Sequence, residues 1–102
     1  MKVLVVEDDA QLAELLERVL GEEGHEPTLC GTLRTAVGAL ATSSFDIVIL
    51  DRMLPDGDGL ELCGALRRRN AATPTLMLTA RGGREFHVRS ERASSKPSIA
   101  LH

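Results

Sequence analysis

The sequence lacks any apolar run long enough to cross a membrane, so no membrane contact is expected. It also shows no secretory signal, because Met1 leads straight into a strand-like pattern without a basic segment. Tryptophan and tyrosine are absent, and phenylalanine occurs only twice. Cysteine is scarce too, and the separation of Cys30 and Cys63 does not match the spacing of metal ligands. We therefore expect a cytoplasmic protein with two buried thiols.

The charge of the chain is unevenly distributed. Residues 1–80 carry 7 Lys or Arg against 13 Asp or Glu, whereas residues 81–102 carry 5 against 2. An acidic body argues against nucleic-acid binding, because contacts with phosphate groups need Lys and Arg. The basic segment at the end is interpreted as a solvated, flexible tail. With 102 residues, the chain has the size of one small domain.

Two alternating hydrophobic patterns predict the fold of the first 79 residues. Short apolar runs typical of buried strands occur at residues 3–6, 27–30, 46–50 and 75–79. Between them, apolar residues recur with helical spacing at residues 12–20, 33–41 and 62–66. Asp9, Thr32 and Asp58 precede these stripes and are interpreted as helix caps. The order β-α-β-α-β-α-β predicts a doubly wound α/β fold, with a parallel sheet and helices on both faces.

Three aspartates follow predicted strands, at the edge of the sheet where ligands bind in open α/β folds. Asp8 and Asp9 come after the first strand, and Asp51 comes directly after the third. If these two strands are neighbours, the carboxylates converge and repel one another unless a cation holds them. Mg²⁺ suits such a cluster, because it takes one or two carboxylates and keeps positions open for phosphoryl oxygens. The sequence therefore predicts a Mg²⁺ site at Asp8, Asp9 and Asp51.

Asp51 is also a candidate nucleophile. A carboxylate that attacks phosphorus gives an acyl phosphate, which is a known covalent route for aspartate. The protein then has to align the attack and neutralise the equatorial phosphoryl oxygens. The hydroxyl of Thr79, at the end of the adjoining predicted strand, is a candidate for one of these oxygens.

Three motifs together carry a family resemblance, namely VLVVEDD at residues 3–9, DIVILDRMLPDGDG at residues 46–59 and TLMLTA at residues 75–80. They resemble the receiver domain of two-component response regulators, in particular the subclass that carries a C-terminal winged-helix DNA-binding domain. The resemblance covers residues 2–81 with its spacing intact. It implies a flavodoxin-like sheet with strand order 2-1-3-4-5, of which we expect this chain to keep the order 2-1-3-4 and to lack the fifth strand and last helix.

The resemblance implies a role for each site residue. Asp51 matches the phosphoacceptor, which takes a phosphoryl group from the phosphohistidine of a sensor histidine kinase. Asp9 would bind Mg²⁺ directly, Asp8 mostly through water, and the backbone carbonyl of Met53 would complete the protein ligands. Thr79 matches the switch hydroxyl that moves toward the phosphoryl group. Pro55 and Gly59 match loop residues that shape the turn after the acceptor.

The pattern breaks after residue 81. The family next expects a fourth helix, an aromatic switch residue and a fifth strand ending in Lys-Pro, but residues 82–102 contain no helical stripe and only a weak alternation around Phe86 and Val88. Lys96 is the candidate for that lysine, although no apolar strand precedes it. We interpret residues 1–81 as an incomplete receiver domain, truncated or frameshifted, and residues 82–102 as a divergent tail without stable structure. The fourth strand would then be an exposed edge and the domain marginally stable.

The main interpretation is a phosphorylation switch that is an enzyme only in assisting its own phosphorylation and dephosphorylation. Its expected partners are a sensor histidine kinase and a second receiver domain, and DNA would be reached only through an effector domain that this chain lacks. The alternative is a degraded receiver that acts only through protein–protein contact. A phosphatase with an aspartate nucleophile would need a second acid two residues beyond it, where Met53 stands.

Overall fold

The computed structural model describes the backbone of residues 1–69, 72–81, 85–90 and 99–101, and the side chains of residues 1–69 and 72–78. Its helices are α1 (Ala10–Glu22), α2 (Leu33–Thr42) and α3 (Leu60–Arg68). Its strands are β1 (Lys2–Val6), β2 (Glu26–Cys30), β3 (Ile47–Asp51), β4 (Met53–Leu54), β5 (Gly57–Asp58), β6 (Thr75–Arg81), β7 (Glu85–Ser90) and β8 (Ile99–Leu101). Within the described residues, no helix combines the length and apolar character needed to cross a membrane.

The parallel part of the sheet has the strand order β2-β1-β3-β6, which confirms the predicted order 2-1-3-4. In this register Val6 of β1 lies beside Leu50 of β3, and Asp51 lies beside Leu78 of β6. The carboxyl ends of these strands therefore meet at one edge. Residues that follow β1 and β3 are brought together by this pairing alone.

Two apolar cores lie on opposite faces of the sheet, as the doubly wound prediction requires. Alternate residues of each strand point to opposite faces, because the side-chain period of a strand is two. Leu4, Val48 and Leu50 are fully buried on the face that α2 and α3 cover. Val3 and Val5 belong to the other core, where α1 packs through residues that include Leu12, Leu16 and Leu20.

The first two helices begin at the predicted caps. Asp9 accepts hydrogen bonds from the backbone amides of Gln11 and Leu12, and Thr32 forms a reciprocal capping box with Thr35. Such caps satisfy amides that have no partner inside the helix.

Helix α3 starts one residue later than predicted. Gly59 occupies its cap position, while the side chain of Asp58 accepts a hydrogen bond from the amide of Leu60 at 2.9 Å. Asp58 therefore still satisfies an amide of the first turn, although it is not the cap residue itself.

The segment after Asp51 forms a small antiparallel hairpin, where the sequence predicts only a turn. Met53 pairs with Asp58 and Leu54 pairs with Gly57, which leaves Pro55 and Asp56 as the turn residues. Gly57 has a φ of 150°, a conformation that residues with a side chain rarely adopt.

The prediction that no regular structure follows Ala80 is wrong for residues 85–90 and 99–101. Strand β6 continues to Arg81, β7 pairs with it in antiparallel orientation, and β8 pairs with β7. The weak alternation around Phe86 and Val88 is enough for a strand to form, because the outer edge of β6 offers a row of backbone donors and acceptors. The fourth predicted strand is therefore not an open edge. The boundary of the receiver domain at residue 81 stays a prediction.

Candidate functional site

Three carboxyl groups meet at the carboxyl edge of the parallel strands. Glu7, Asp8 and Asp51 each offer a carboxylate oxygen, and these oxygens all lie within 4.8 Å of one another. Glu7 and Asp8 directly follow β1, and Asp51 is the last residue of β3. We call these three residues the acidic site. The pairing of β1 with β3 brings them together, as the sequence analysis predicted for Asp8 and Asp51.

Burial within the acidic site is graded. Glu7 is only 5% exposed, Asp51 is partly buried and Asp8 is exposed. The three carboxyl groups therefore range from a buried one, Glu7, to a solvent-facing one, Asp8. A hydrated ion or a phosphoryl group could enter from the side of Asp8.

Burial raises the pKa of Glu7 from 4.5 to about 7. The backbone amide of Asp9, which donates to Glu7 Oε2 at 3.1 Å, opposes this increase, whereas the charge of Asp51 and side-chain hydrogen bonds with Asp51 and Asp8 add to it. Two carboxylates at this range cannot both carry full charge without cost. The raised pKa therefore marks a place where a cation would be favourable.

Asp9 does not belong to this group, which corrects its assignment as a member of the cluster. Its Oδ1 accepts hydrogen bonds from the amides of Gln11 at 2.9 Å and Leu12 at 3.2 Å. The carboxylate is thus turned toward the start of α1, and Glu7 takes the place that the sequence analysis gave it. The signal for this was present, because the acid just before a helical stripe is the one that caps it.

The loop that follows Asp51 is tied back onto itself. The amide of Met53 donates to Asp51 Oδ1 at 3.3 Å, and the amide of Gly59 donates to the carbonyl of Arg52 at 2.6 Å. The Arg52 side chain bonds Asp58 Oδ2 at 3.1 Å. These bonds hold the Asp51 carboxylate against the β4–β5 hairpin.

Gly59 stands where the chain has no room for a side chain. A Cβ at this position would overlap the Leu50 side chain and the carbonyl oxygen of Asp51. Pro55 lies in the hairpin turn, next to Asp56. Both positions agree with a role in shaping this loop.

The remaining predicted residues are placed only in part. Thr79 lies in β6, one residue beyond Leu78, which pairs with Asp51. Its side chain and all of Lys96 lie outside the described residues, so their roles stay predictions. Met53, whose carbonyl was the predicted fourth ligand, has a side chain that is 81% exposed at the surface of β4.

The donor set of the acidic site fits a hard divalent cation. Carboxylate oxygens are the ligands that Mg²⁺ accepts in proteins, together with water and backbone carbonyls. Without a cation, charging a buried carboxyl group beside two others costs free energy. A bound cation would offset this cost. Glu7, Asp8 and Asp51 are the residues that would hold such an ion.

Comparison with known proteins agrees with the fold. The model of the response regulator receiver domain family matches residues 3–96, so the chain belongs to this family of two-component signalling proteins. It is 49% identical over 82 residues to the transcriptional regulatory protein TcrA of Mycobacterium tuberculosis, a match that covers 80% of this chain and 32% of TcrA. The chain therefore spans about a third of the length of this relative.

Solved receiver structures share the architecture. The receiver domain of the Francisella response regulator 1452 superposes with a TM-score of 0.75 and 32% identity, covering 79% of this chain and 67% of that one. The response regulator TrrA from Thermotoga maritima, solved in complex with Mg²⁺-BeF, gives a TM-score of 0.74 and 33% identity, covering 79% and 70%. These neighbours confirm the flavodoxin-like fold predicted from the sequence.

Proposed function

We propose that this chain is a phosphoacceptor module in which Asp51 takes a phosphoryl group from the phosphohistidine of a sensor histidine kinase, with Mg²⁺ bound by the acidic site. The observation that carries this proposal is the convergence of Glu7, Asp8 and Asp51 within 4.8 Å at the carboxyl edge of the sheet. Membership of the receiver family and the Mg²⁺-BeF complex of TrrA support it.

The transfer requires one bond to form and one to break. An oxygen of the Asp51 carboxylate attacks phosphorus, the bond from phosphorus to the histidine nitrogen breaks, and its electron pair stays on the imidazole. The product on this chain is an aspartyl phosphate. A bound Mg²⁺ would neutralise charge on the phosphoryl oxygens.

Neighbouring groups orient the reacting carboxylate. The amide of Met53 holds Asp51 Oδ1, and the fixed loop prevents the carboxylate from turning away from the acidic site. Asp8 would be the solvent-facing ligand and Glu7 the buried ligand. The Met53 carbonyl remains the proposed further ligand, and the Thr79 hydroxyl the proposed partner of a phosphoryl oxygen.

The proposed role of the protein is that of a cytoplasmic switch rather than an enzyme acting on a separate substrate. Phosphorylation would change charge at one edge of the sheet, and the sensor kinase is the proposed partner that supplies it. A second receiver domain is a further proposed partner. Contact with DNA is not proposed for residues 1–102, since their acidic body does not suit phosphate groups.

Phosphorylation with labelled acetyl phosphate in the presence of Mg²⁺ tests the proposal. We expect the wild-type chain to take up hydroxylamine-labile phosphate and the Asp51→Asn variant to take up none, because the amide cannot form an acyl phosphate. Asp46→Asn is the matched control, since Asp46 precedes the same strand but caps the Lys2 amide at the opposite edge. Equal labelling of Asp51→Asn and wild type would refute the assignment of the acceptor.

The alternative is a receiver that acts only through protein–protein contact. The antiparallel course of β7 favours it, because the alternating β-α order that typifies the first part of the chain does not continue after β6. The same labelling experiment separates the two functions. A folded wild-type chain that takes up no phosphate at Asp51 would support the alternative.

A further inference from the structure

Asp56 makes a contact that the proposed chemistry does not use. Its carboxylate accepts hydrogen bonds from the backbone amides of Leu33 at 2.8 Å and Arg34 at 3.0 Å. Leu33 and Arg34 are the first two residues of α2, more than twenty positions earlier in the chain. A carboxylate in the turn of the β4–β5 hairpin therefore accepts hydrogen bonds from amides at the start of a distant helix, which have no partner within that helix.

This contact is independent of the local cap of α2. Thr32 and Thr35 already form a reciprocal capping box, in which Thr32 Oγ1 takes the amide of Thr35 at 3.1 Å. Asp56 takes the two amides that the box leaves open. These two bonds, that of Leu33 first, hold the pKa of Asp56 below its usual value, because they stabilise the charged form.

Packing at the same junction supports the contact. Gly57, next to Asp56, approaches α2 so closely that a Cβ there would lie 2.8 Å from Leu33 Cδ1. Leu33 and Leu54 belong to one buried core, which also includes Leu50 from the strand that ends in Asp51. The hairpin turn is thus seated on α2 by both hydrogen bonds and apolar contact.

We propose that Asp56 is a positioning residue for the acidic site, holding the β4–β5 hairpin on the start of α2. This inference rests on the proposed function. The hairpin begins two residues after Asp51 and contains Met53, whose amide bonds the Asp51 carboxylate. Release of the turn from α2 would let the hairpin move, and the carboxylate and the Met53 carbonyl would lose their fixed positions.

The same contact links the acidic site to α2. If the ordered hairpin favours metal binding, metal binding favours the ordered hairpin to the same extent, because coupling between two equilibria is reciprocal. Occupancy of the site would therefore strengthen the bonds from Asp56 to Leu33 and Arg34. The start of α2 is then a reporter of the state of the acidic site.

Titration of the 102-residue chain with Mg²⁺ tests the positioning role. We expect Asp56→Ala to weaken Mg²⁺ binding on the order of tenfold, as loss of a residue that orients metal ligands does. Asp56→Asn should fall between, because its amide oxygen still accepts one bond although the charge is gone. Asp46→Asn removes an equal charge at the opposite edge and should bind as the wild type does.

The outcomes separate this inference from the proposed function. Mg²⁺ binding by both Asp56 variants within about twofold of the wild type would overturn the inference alone, even if both variants melt earlier. If Asp56→Ala does not fold, the comparison of Asp56→Asn with Asp46→Asn decides it. A folded wild-type chain without affinity for Mg²⁺ would overturn both proposals.

Amide hydrogen exchange supplies a readout that a purely structural role would not move. Mg²⁺ is expected to slow exchange at Leu33 and Arg34 several-fold in the wild type and to leave it unchanged in Asp56→Ala. Neither amide belongs to the acidic site, so the change would report coupling through the hairpin. If Mg²⁺ does not change hydrogen exchange at these amides in the wild type, the proposed link between the acidic site and α2 is overturned.

Discussion

Two groups of carboxylates lie at the carboxyl edge of the sheet, and they differ in the groups that surround them. Asp9, Asp56 and Asp58 each accept hydrogen bonds from amides at the start of a helix, and we call them the capping carboxylates. Glu7, Asp8 and Asp51 instead face one another in the acidic site. Backbone amides therefore stabilise the charge of the capping carboxylates, whereas a bound cation would best stabilise the charges of the acidic site.

The pKa of Glu7 is shifted in the opposite direction to the pKa values of two capping carboxylates, Asp56 and Asp58. Backbone amides lower the pKa of Asp56 and of Asp58, because they stabilise the charged form. Burial, with the nearby Asp51, raises the pKa of Glu7 to about 7. An acid after a strand is therefore not a ligand by position alone; a carboxylate that accepts hydrogen bonds from amides at the start of a helix belongs to the capping group.

Replacing the adjacent residues Asp8 and Asp9 one at a time should distinguish the acidic site from the capping carboxylates most clearly. We expect Asp8→Asn to weaken Mg²⁺ binding by at least about tenfold, because an amide is a poorer ligand for a hard cation. Asp9→Asn removes the same charge one position later, and should change affinity by less than about threefold. Asparagine also caps helices well, so this control should keep its stability. Calorimetric titration with Mg²⁺ measures both, and the reverse order of effects would restore Asp9 as a ligand.

The pH dependence of stability tests the raised pKa of Glu7. Without metal, the folded chain binds the Glu7 proton more tightly than the unfolded chain, so this group stabilises the fold below about pH 4.5 and the gain is lost as the pH rises to about 7. In Glu7→Gln this loss is absent, and at pH 8 the variant should be more stable than the wild type by on the order of 1–3 kcal/mol. Urea unfolding at pH 5 and pH 8 measures the difference.

Magnesium should reverse this pH dependence. Binding requires the charged form of Glu7, so Mg²⁺ should raise the melting temperature of the wild type more at pH 8 than at pH 5. Parallel stability profiles for wild type and Glu7→Gln, with or without Mg²⁺, would show that Glu7 titrates normally.

A capping carboxylate should show the opposite pH dependence and the smallest effect. We expect Asp58→Ala to lower the melting temperature by a few degrees at pH 7, because the Leu60 amide and Arg52 lose their partner. The pKa of Asp58 is lowered from 3.8, so its contribution is present above that pH and is lost as the pH falls through the lower, folded value. Thermal melts from pH 2 to pH 7 measure this; a destabilisation that persists unchanged at pH 2 would contradict it.

The regular part of the fold was predictable from the sequence, because each parallel strand and each helix has a clear hydrophobic period. The strand order, the caps at Asp9 and Thr32, and the convergence of Asp8 with Asp51 follow from those periods and from the family motif. Glu7 was missed because Asp9 was assigned both as a cap and as a ligand, although a carboxylate that caps α1 is turned away from the acidic site.

Other features could not be read from a local pattern. Strands of two residues, such as β4 and β5, are too short to show any period. The contact from Asp56 to α2 joins positions 23 residues apart, so nothing near Asp56 announces it. Strand β7 depends on the edge of β6 more than on its own weak alternation.

The direction of β7 has a consequence for the charge that would balance a phosphorylated Asp51. Because β7 is antiparallel to β6, it starts beside Arg81 and finishes with Ser90 beside Leu76. The end of β7 therefore lies toward the amino end of β6, whereas its beginning lies toward the edge at which β1 and β3 end. Arg81, the last residue of β6, is thus on the same side of the sheet as Asp51, and a lysine that followed Ser90 would start from the opposite end of β6.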